Sequence, residues 1–186
     1  CCENENIKVM LTREKDTFYF LKSRLTIAKN IRPNLLISLH VNTFTEDSTL
    51  RGVEVYTVNK NNPYYYESQA CGNELQKNLA TIPSLKMRGW KTSPRRLFLM
   101  HNSISPALLI EMGNIFNKED YELLSSPAGQ NQIAAALKNT IEWFYNKHGN
   151  AAIRLHKRLP NEKAHRTIKA TQAMGDYAVV LVDGVE

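Results

Sequence analysis

The amino-acid sequence predicts an α/β fold: a mostly parallel mixed sheet flanked by helices on both faces, in a single domain. Short apolar runs alternate with amphipathic stretches of helical period, the pattern of strand–helix repetition. One run, Leu35 to Leu39, is apolar almost throughout, as strands buried on both faces of a parallel sheet are. A chain of 186 residues with 42% hydrophobic content supplies one sizeable core, not two.

Taken in order, Ile7 to Thr12 reads as a strand, succeeded by the charged turn Arg13 to Asp16, whose aspartate can cap the next helix. From Thr17 to Ile31, Phe18, Leu21, Leu25 and Ala28 recur on one helical face, and Pro33 stops the helix. Leu35 to Leu39 is the buried strand, and after a polar loop Gly52 to Val58 is another, with alternation. Tyr64 to Leu79 reads as a helix, with Cys71, Leu75 and Leu79 four apart, ending before the Thr81-Ile-Pro83 break. Leu97 to Met100 and Ala107 to Ile110 read as two strands in succession across a turn containing Pro106. Ile133, Leu137, Ile141 and Phe144 mark a final helix. The domain is expected to span residues 1–146, and residues 147–186 to form a basic connector and an extra strand, Tyr177 to Val182.

Charge and composition narrow the function classes. The formal net charge of +6 invites a nucleic-acid reading until the charges are located. Between Asn150 and Ala170, Arg154, Lys157, Arg158, Lys163, Arg166 and Lys169 stand against Glu162 alone, so the basicity belongs to one short segment. That segment has no interleaved aromatics to stack bases and reads as a solvated connector, so no nucleic-acid partner is expected. No apolar run approaches the ~20 residues of a membrane-spanning helix. Cys1, Cys2 and Cys71 are too few and wrongly spaced for a disulfide framework or a four-cysteine metal site.

In open α/β sheets ligands gather at the carboxyl ends of strands. His40 directly follows one apolar run and Glu111 another. On spacing alone, His40 is either a hydrogen-bonded strand-end histidine or a metal or acid–base residue. Glu111 is either a carboxylate turning into solvent or a general base. Together, a histidine ligand and a carboxylate base on neighbouring strands would make half of a zinc hydrolase site. His101, Tyr64 to Tyr66, Arg88, Arg95 and Arg96 carry weaker readings: a turn histidine, a sugar-stacking surface or helix start, and contacts to anionic carboxylates or plain surface charge.

Several ordered blocks carry a family resemblance: Val9-Met-Leu-Thr-Arg13 with Asp16, Arg24 with Ala28-Lys-Asn30, Leu36 to Asn42, Arg51 to Tyr56, Glu67-Ser68, Arg88-Gly89, and Pro106 to Gly113 with Asn117 and Asp120. Through them, over about Ile7 to Tyr145, the chain resembles the zinc-dependent N-acetylmuramoyl-L-alanine amidases of bacterial peptidoglycan. The resemblance implies hydrolysis of the amide between N-acetylmuramic acid and L-alanine, with one zinc ion, His40 as a metal ligand and Glu111 as the catalytic glutamate. It further implies a peptidoglycan substrate, an activator protein as a further partner, and a location in the periplasm or outside the membrane. The alternative is a catalytically inactive relative that binds peptidoglycan or regulates another wall hydrolase.

One departure stands against the pattern. The family's other two ligands are a histidine in a Gly-His-Gly turn after the first strand and a glutamate just beyond, and no Gly-His-Gly occurs in the chain. The chain starts with Cys1, and the expectation is that the missing strand and ligands lie upstream of it. Otherwise the tail substitutes, Val179 to Gly184 resembling the family's first strand in character and Glu162 and His165 standing at ligand spacing. A metal-free relative is the third reading.

Overall fold

A computed structural model describes residues 7–13, 15, 17–93, 97–156 and 178–184, with 149–156 and 178–184 described as backbone alone. The described residues form a six-stranded sheet in the order β1-β6-β2-β5-β3-β4. β1 (Ile7–Leu11), β6 (Ala178–Gly184), β2 (Leu35–Asn42) and β5 (Ala107–Asn114) are mutually parallel. β3 (Val53–Thr57) runs antiparallel to β5, and β4 (Met87–Thr92) lies beside β3 in parallel at the edge. The sheet is therefore mixed and mostly parallel, as expected.

Helices cover both faces. On one, α1 (Leu21–Ile31) and α3 (Phe98–His101) bring Leu25, Ala28, Leu99 and Met100 against Leu36, Ala107 and Leu109 of the sheet. On the other, α2 (Tyr65–Leu79), α4 (Lys118–Ser125) and α5 (Pro127–His156) pack Cys71, Leu75, Leu123, Ile133 and Phe144 against Leu35, Ile37, Val55, Leu108 and Ile110. Consecutive residues of a strand point to opposite faces, so a strand roofed on both sides must be apolar at every position. Leu35, Leu36 and Ile37 meet that requirement, none more than 2% exposed.

Local signals set the helix ends. α1 closes with Arg32 in the left-handed region at φ 51°, its N–H donating to the Ala28 carbonyl, immediately before Pro33. α4 starts where the Asn117 side chain accepts from the Glu119 and Asp120 N–H groups, a side-chain cap on two otherwise orphaned donors.

Three of the expected elements differ from expectation, and β4 and α4 are not among those expected. α1 begins at Leu21, four residues after Thr17, with no side-chain cap at Phe20; Asp16, expected as the cap, lies outside the described residues. The run Leu97 to Met100, expected as a strand, is the one-turn helix α3, with His101 and Asn102 N–H groups donating back to the Leu97 and Phe98 carbonyls. Four apolar residues carry no period that separates helix from strand, and burial of Leu99 and Met100 against α1 decides the outcome. α5 continues past residue 146 to His156.

The strand expected in the tail is present, and it enters the sheet. β6 pairs with β1 from Ile7↔Ala178 to Leu11↔Val182 and with β2 from Leu35↔Val180 to Leu39↔Gly184. Most of the basic segment, including Glu162 and His165, lies outside the described residues.

Candidate functional site

The site is built where β2 and β5 end. These strands are parallel neighbours, so their carboxyl ends coincide, and His40 is in register with Glu111. Both are half-buried, at the point where each apolar run gives way to polar residues. β3, antiparallel on the far side of β5, places Glu54 in register with Glu111. His40, Glu111 and Glu54 thus lie in a row across three adjacent strands, about 10 Å from end to end at the usual spacing of ~4.8 Å.

Each member has its own electrostatic setting. His40 Nε2 shares a 2.8 Å hydrogen bond with the buried Ser38 hydroxyl two residues earlier on the same strand. Glu54 is 4% exposed, and burial alone would push its carboxyl up. Hydrogen bonds from Lys91 Nζ (2.8 Å), Arg88 Nε (2.9 Å) and the Tyr56 hydroxyl (2.9 Å), with the charges of the two bases, outweigh burial and hold it below the usual carboxylate value. Tyr56 is pushed up to about 12, by burial first and then by its bond to Glu54 and the charge there. Glu111 is pushed up to about 7, mainly by burial and further by the negative charge of Glu54. One carboxylate is held ionised while its neighbour is poised to take and return a proton near neutral pH.

The rim of the site is fixed by a bulge. Between His40 and Asn42 of β2 the register against β5 slips, so that Asn42 pairs with Asn114, and the extra residue in β5 is accommodated at Gly113, φ +146°. A Cβ there would stand 2.8 Å from Asp120 Oδ2. That oxygen accepts the backbone N–H of Asn114 at 2.9 Å and of Gly52 at 2.7 Å, tying the end of β5 to the start of β3. Arg51 ion-pairs with Glu119 beside it. The fully buried Asn114 side chain accepts from the Phe44 N–H at 3.1 Å and donates to the Leu50 carbonyl at 2.9 Å, which pins the loop after His40.

A hydrolytic zinc needs three protein ligands and a water. Among the described residues no group of three or more histidine, cysteine, aspartate or glutamate side chains could hold a metal ion. His40 offers one nitrogen, but the described residues do not by themselves fit a complete zinc centre. Glu162 and His165 lie outside them.

The remaining sequence candidates fall elsewhere or outside the description. His101 Nδ1 bonds to Asn59 Nδ2 at 3.0 Å beyond the end of β3, which runs opposite to β5, so it belongs to the far edge of the sheet. Tyr64 to Tyr66 start α2 at that same far edge, where Asn62 donates to the Ser103 carbonyl. His148 stacks at 4.8 Å on Phe144. Arg95 and Arg96 are not among the described residues, whereas Arg88 reaches the site through Glu54.

Sequence reasoning gives no separate role to Glu54, Tyr56 or Lys91. The available signal is a glutamate in the alternating strand Val53-Glu-Val-Tyr-Thr57, set between two valines with no exposure. A charged residue so placed requires partners, and those partners mark the site.

Residues 2–143 match the family described as N-acetylmuramoyl-L-alanine amidase. The chain is 28% identical over 134 residues to an uncharacterised cell wall amidase of Bacillus anthracis, covering 70% of this chain and 24% of that protein. It is 27% identical over 139 residues to the N-acetylmuramoyl-L-alanine amidase LytC of Bacillus subtilis, covering 73% of this chain and 26% of that one. The alignments thus span about a quarter of the length of these two relatives. Among solved structures, the catalytic domain of CwlV, an N-acetylmuramoyl-L-alanine amidase of Bacillus (Paenibacillus) polymyxa, is similar at 28% identity and a TM-score of 0.66, over 75% of this chain and 73% of that one. The family match runs through both β2 and β5, and the same fold carries that relative's catalytic domain, so this chain belongs to the N-acetylmuramoyl-L-alanine amidase family.

Proposed function

We propose that the chain hydrolyses the amide between N-acetylmuramic acid and L-alanine in bacterial peptidoglycan, releasing the stem peptide. The observation that carries this reading is the register of His40 with Glu111 at the carboxyl ends of adjacent parallel strands, together with a Glu111 carboxyl pushed up to about 7. A general base is most effective when its pKa lies near the working pH, because it must both accept and return a proton. Glu111 takes a proton from the attacking water and delivers it to the leaving amine. Glu54, held ionised by Lys91, Arg88 and Tyr56, keeps that carboxyl from becoming a stronger acid.

Zinc is the metal the family resemblance implies, and bound zinc would supply Lewis-acid polarisation of the amide carbonyl. His40 is the described residue that would hold it. The substrate places the reaction in the bacterial envelope. Among the described residues no helix is long and apolar enough to cross a membrane.

The lack of a three-ligand group among the described residues favours one second reading, an inactive relative that binds peptidoglycan. Incubation with purified peptidoglycan, then labelling of newly exposed alanine amino termini, separates the two. The amidase reading expects new termini from the wild type and essentially none from a folded Glu111→Ala variant. Retention on insoluble wall without new termini would establish the second reading, and cleavage that survives in Glu111→Ala would overturn the assigned base.

A further inference from the structure

β4 is an edge strand with an irregularity that has a chemical outcome. Met87 pairs with Val53 and Trp90 with Val55, so three steps along β4 match two along β3. The extra residue is absorbed at Gly89, whose φ of +91° lies in the left-handed region and whose hypothetical Cβ would meet no atom within 4 Å. In a regular strand residues three apart point to opposite faces. Here Met87 and Trp90 both pack on the α2–α5 side, with Val53 and Val55. Arg88 and Lys91, also three apart, both bond Glu54 Oε1 on the opposite face, at 2.9 Å and 2.8 Å. Bulges at sheet edges re-aim side chains in this way, and this one gathers two cations on the face that carries His40 and Glu111.

The cations exceed what Glu54 can neutralise. One carboxylate, 5% exposed at its side chain, answers two positive charges. Arg88 commits its Nε to Glu54 and lies 5.8 Å from the centroid of the Phe44 ring; among the described residues the two terminal nitrogens of its guanidinium have no hydrogen-bond partner. Its side chain is 26% exposed and that of Lys91 is 51% exposed. A partly exposed guanidinium fixed through its Nε and set over an aromatic ring is a preorganised receptor for a carboxylate.

Resting on the amidase reading, we infer that Arg88 and Lys91 form a subsite for a carboxylate of the stem peptide, with Glu54 and Gly89 as its positioning residues. The strand that carries the subsite lies two strand spacings from Glu111, about 10 Å, and both cations reach back from it to Glu54, one spacing from Glu111. An extended peptide rises ~3.3 Å per residue, so the carboxylate recognised lies within about three residues of the scissile amide. The occupant is an acidic peptide, not a neutral one.

The test is calorimetric binding of two probes to the full chain: a muramoyl tripeptide with free carboxylates, and the same molecule with those carboxylates converted to carboxamides. The wild type is expected to prefer the free acid by about tenfold, the usual scale of a charge-assisted pair. Arg88→Ala with Lys91→Ala brings the two affinities together, and Arg88→Lys recovers only part of the preference because it restores charge without the fork. Gly89→Ala, which introduces no clash but forbids the bulge conformation, also reduces the preference although both cations remain. Equal binding of both probes by the wild type, or a preference that survives in the double variant, overturns the subsite while leaving the amidase reading intact. Failure of the wild type to bind either probe overturns both.

Discussion

Glu54 and Glu111 face each other in register across the antiparallel β3–β5 ladder, and of these two carboxyls Glu54 is the one bonded to cations. The same separation of two neighbouring carboxyls that sets up acid–base chemistry gives a pH signature. The rate of stem-peptide release is expected to fall about tenfold per unit below an acid limb near pH 7, as the base becomes protonated. A limb near pH 4.5 in the wild type would show that burial and Glu54 do not act on the base as described.

Stability carries the same signature with a definite sign. Because the folded-state pKa of Glu111 is raised, the native protein holds a proton that the unfolded chain has released between about 4.5 and about 7. Stability from this group is therefore complete below pH 4.5 and declines as pH rises through 7. Glu111→Gln removes the decline, and after allowance for solvent screening of this half-open position the variant should be more stable than wild type by about 1 kcal/mol at pH 8. Urea unfolding of both proteins at pH 4 and pH 8 measures it, and parallel pH dependence in the two would refute the assignment.

Metal content distinguishes the roles of the two strand-end residues. With zinc offered to the folded chain, His40→Ala is expected to lower the affinity by about tenfold or more, whereas Glu111→Gln, which removes a base and not a ligand, leaves it near the wild-type value. Elemental analysis after dialysis reads both. Equal loss in the two variants would move Glu111 into the ligand set.

Asp120 is expected to govern the rigidity of the rim. Asp120→Ala leaves the Gly52 and Asn114 N–H groups without their buried acceptor and should cost about 3 kcal/mol. Gly113→Ala should cost about 2–3 kcal/mol through its φ of +146° and the 2.8 Å approach to Asp120 Oδ2. The double variant should lose less than the two costs combined, because removing the carboxylate relieves the approach. Strict additivity in urea unfolding would show that the contact does not couple them.

The sheet and its main helices are legible in the sequence because periodicity reports burial directly. Leu35 to Leu39 and Ala107 to Ile110 read as strands because each is a short apolar run bounded by turn residues, and the residues just after them mark the edge where a site could form. Leu97 to Met100 misleads because four apolar residues have no resolvable period. β4 escapes a sequence reading because its bulge breaks the alternation that identifies a strand: Met87 and Trp90 face the core together, with Arg88 and Gly89 between them. For the same reason the partners of Glu54 are hidden, since Lys91 lies 37 positions away and reaches it only through that bulge. His40 and Glu111 are visible singly, and their register emerges only from the pairing of β2 with β5.

The position of β6 also dictates an order of assembly. Ile7 and Ala178 are ladder partners, and β1 and β2 each pair with β6 and not with one another. During synthesis every other described element emerges before β6 does. Until β6 arrives, β1 and β2 carry unsatisfied backbone edges on either side of a gap one strand wide, which invites pairing with any extended apolar segment nearby. Closing that gap joins the two most distant parts of the described chain, a contact of high sequence separation and therefore a slow one. The half of the sheet beside His40 is thus completed last, and the opening left beside it in the nascent chain is where misassembly would begin.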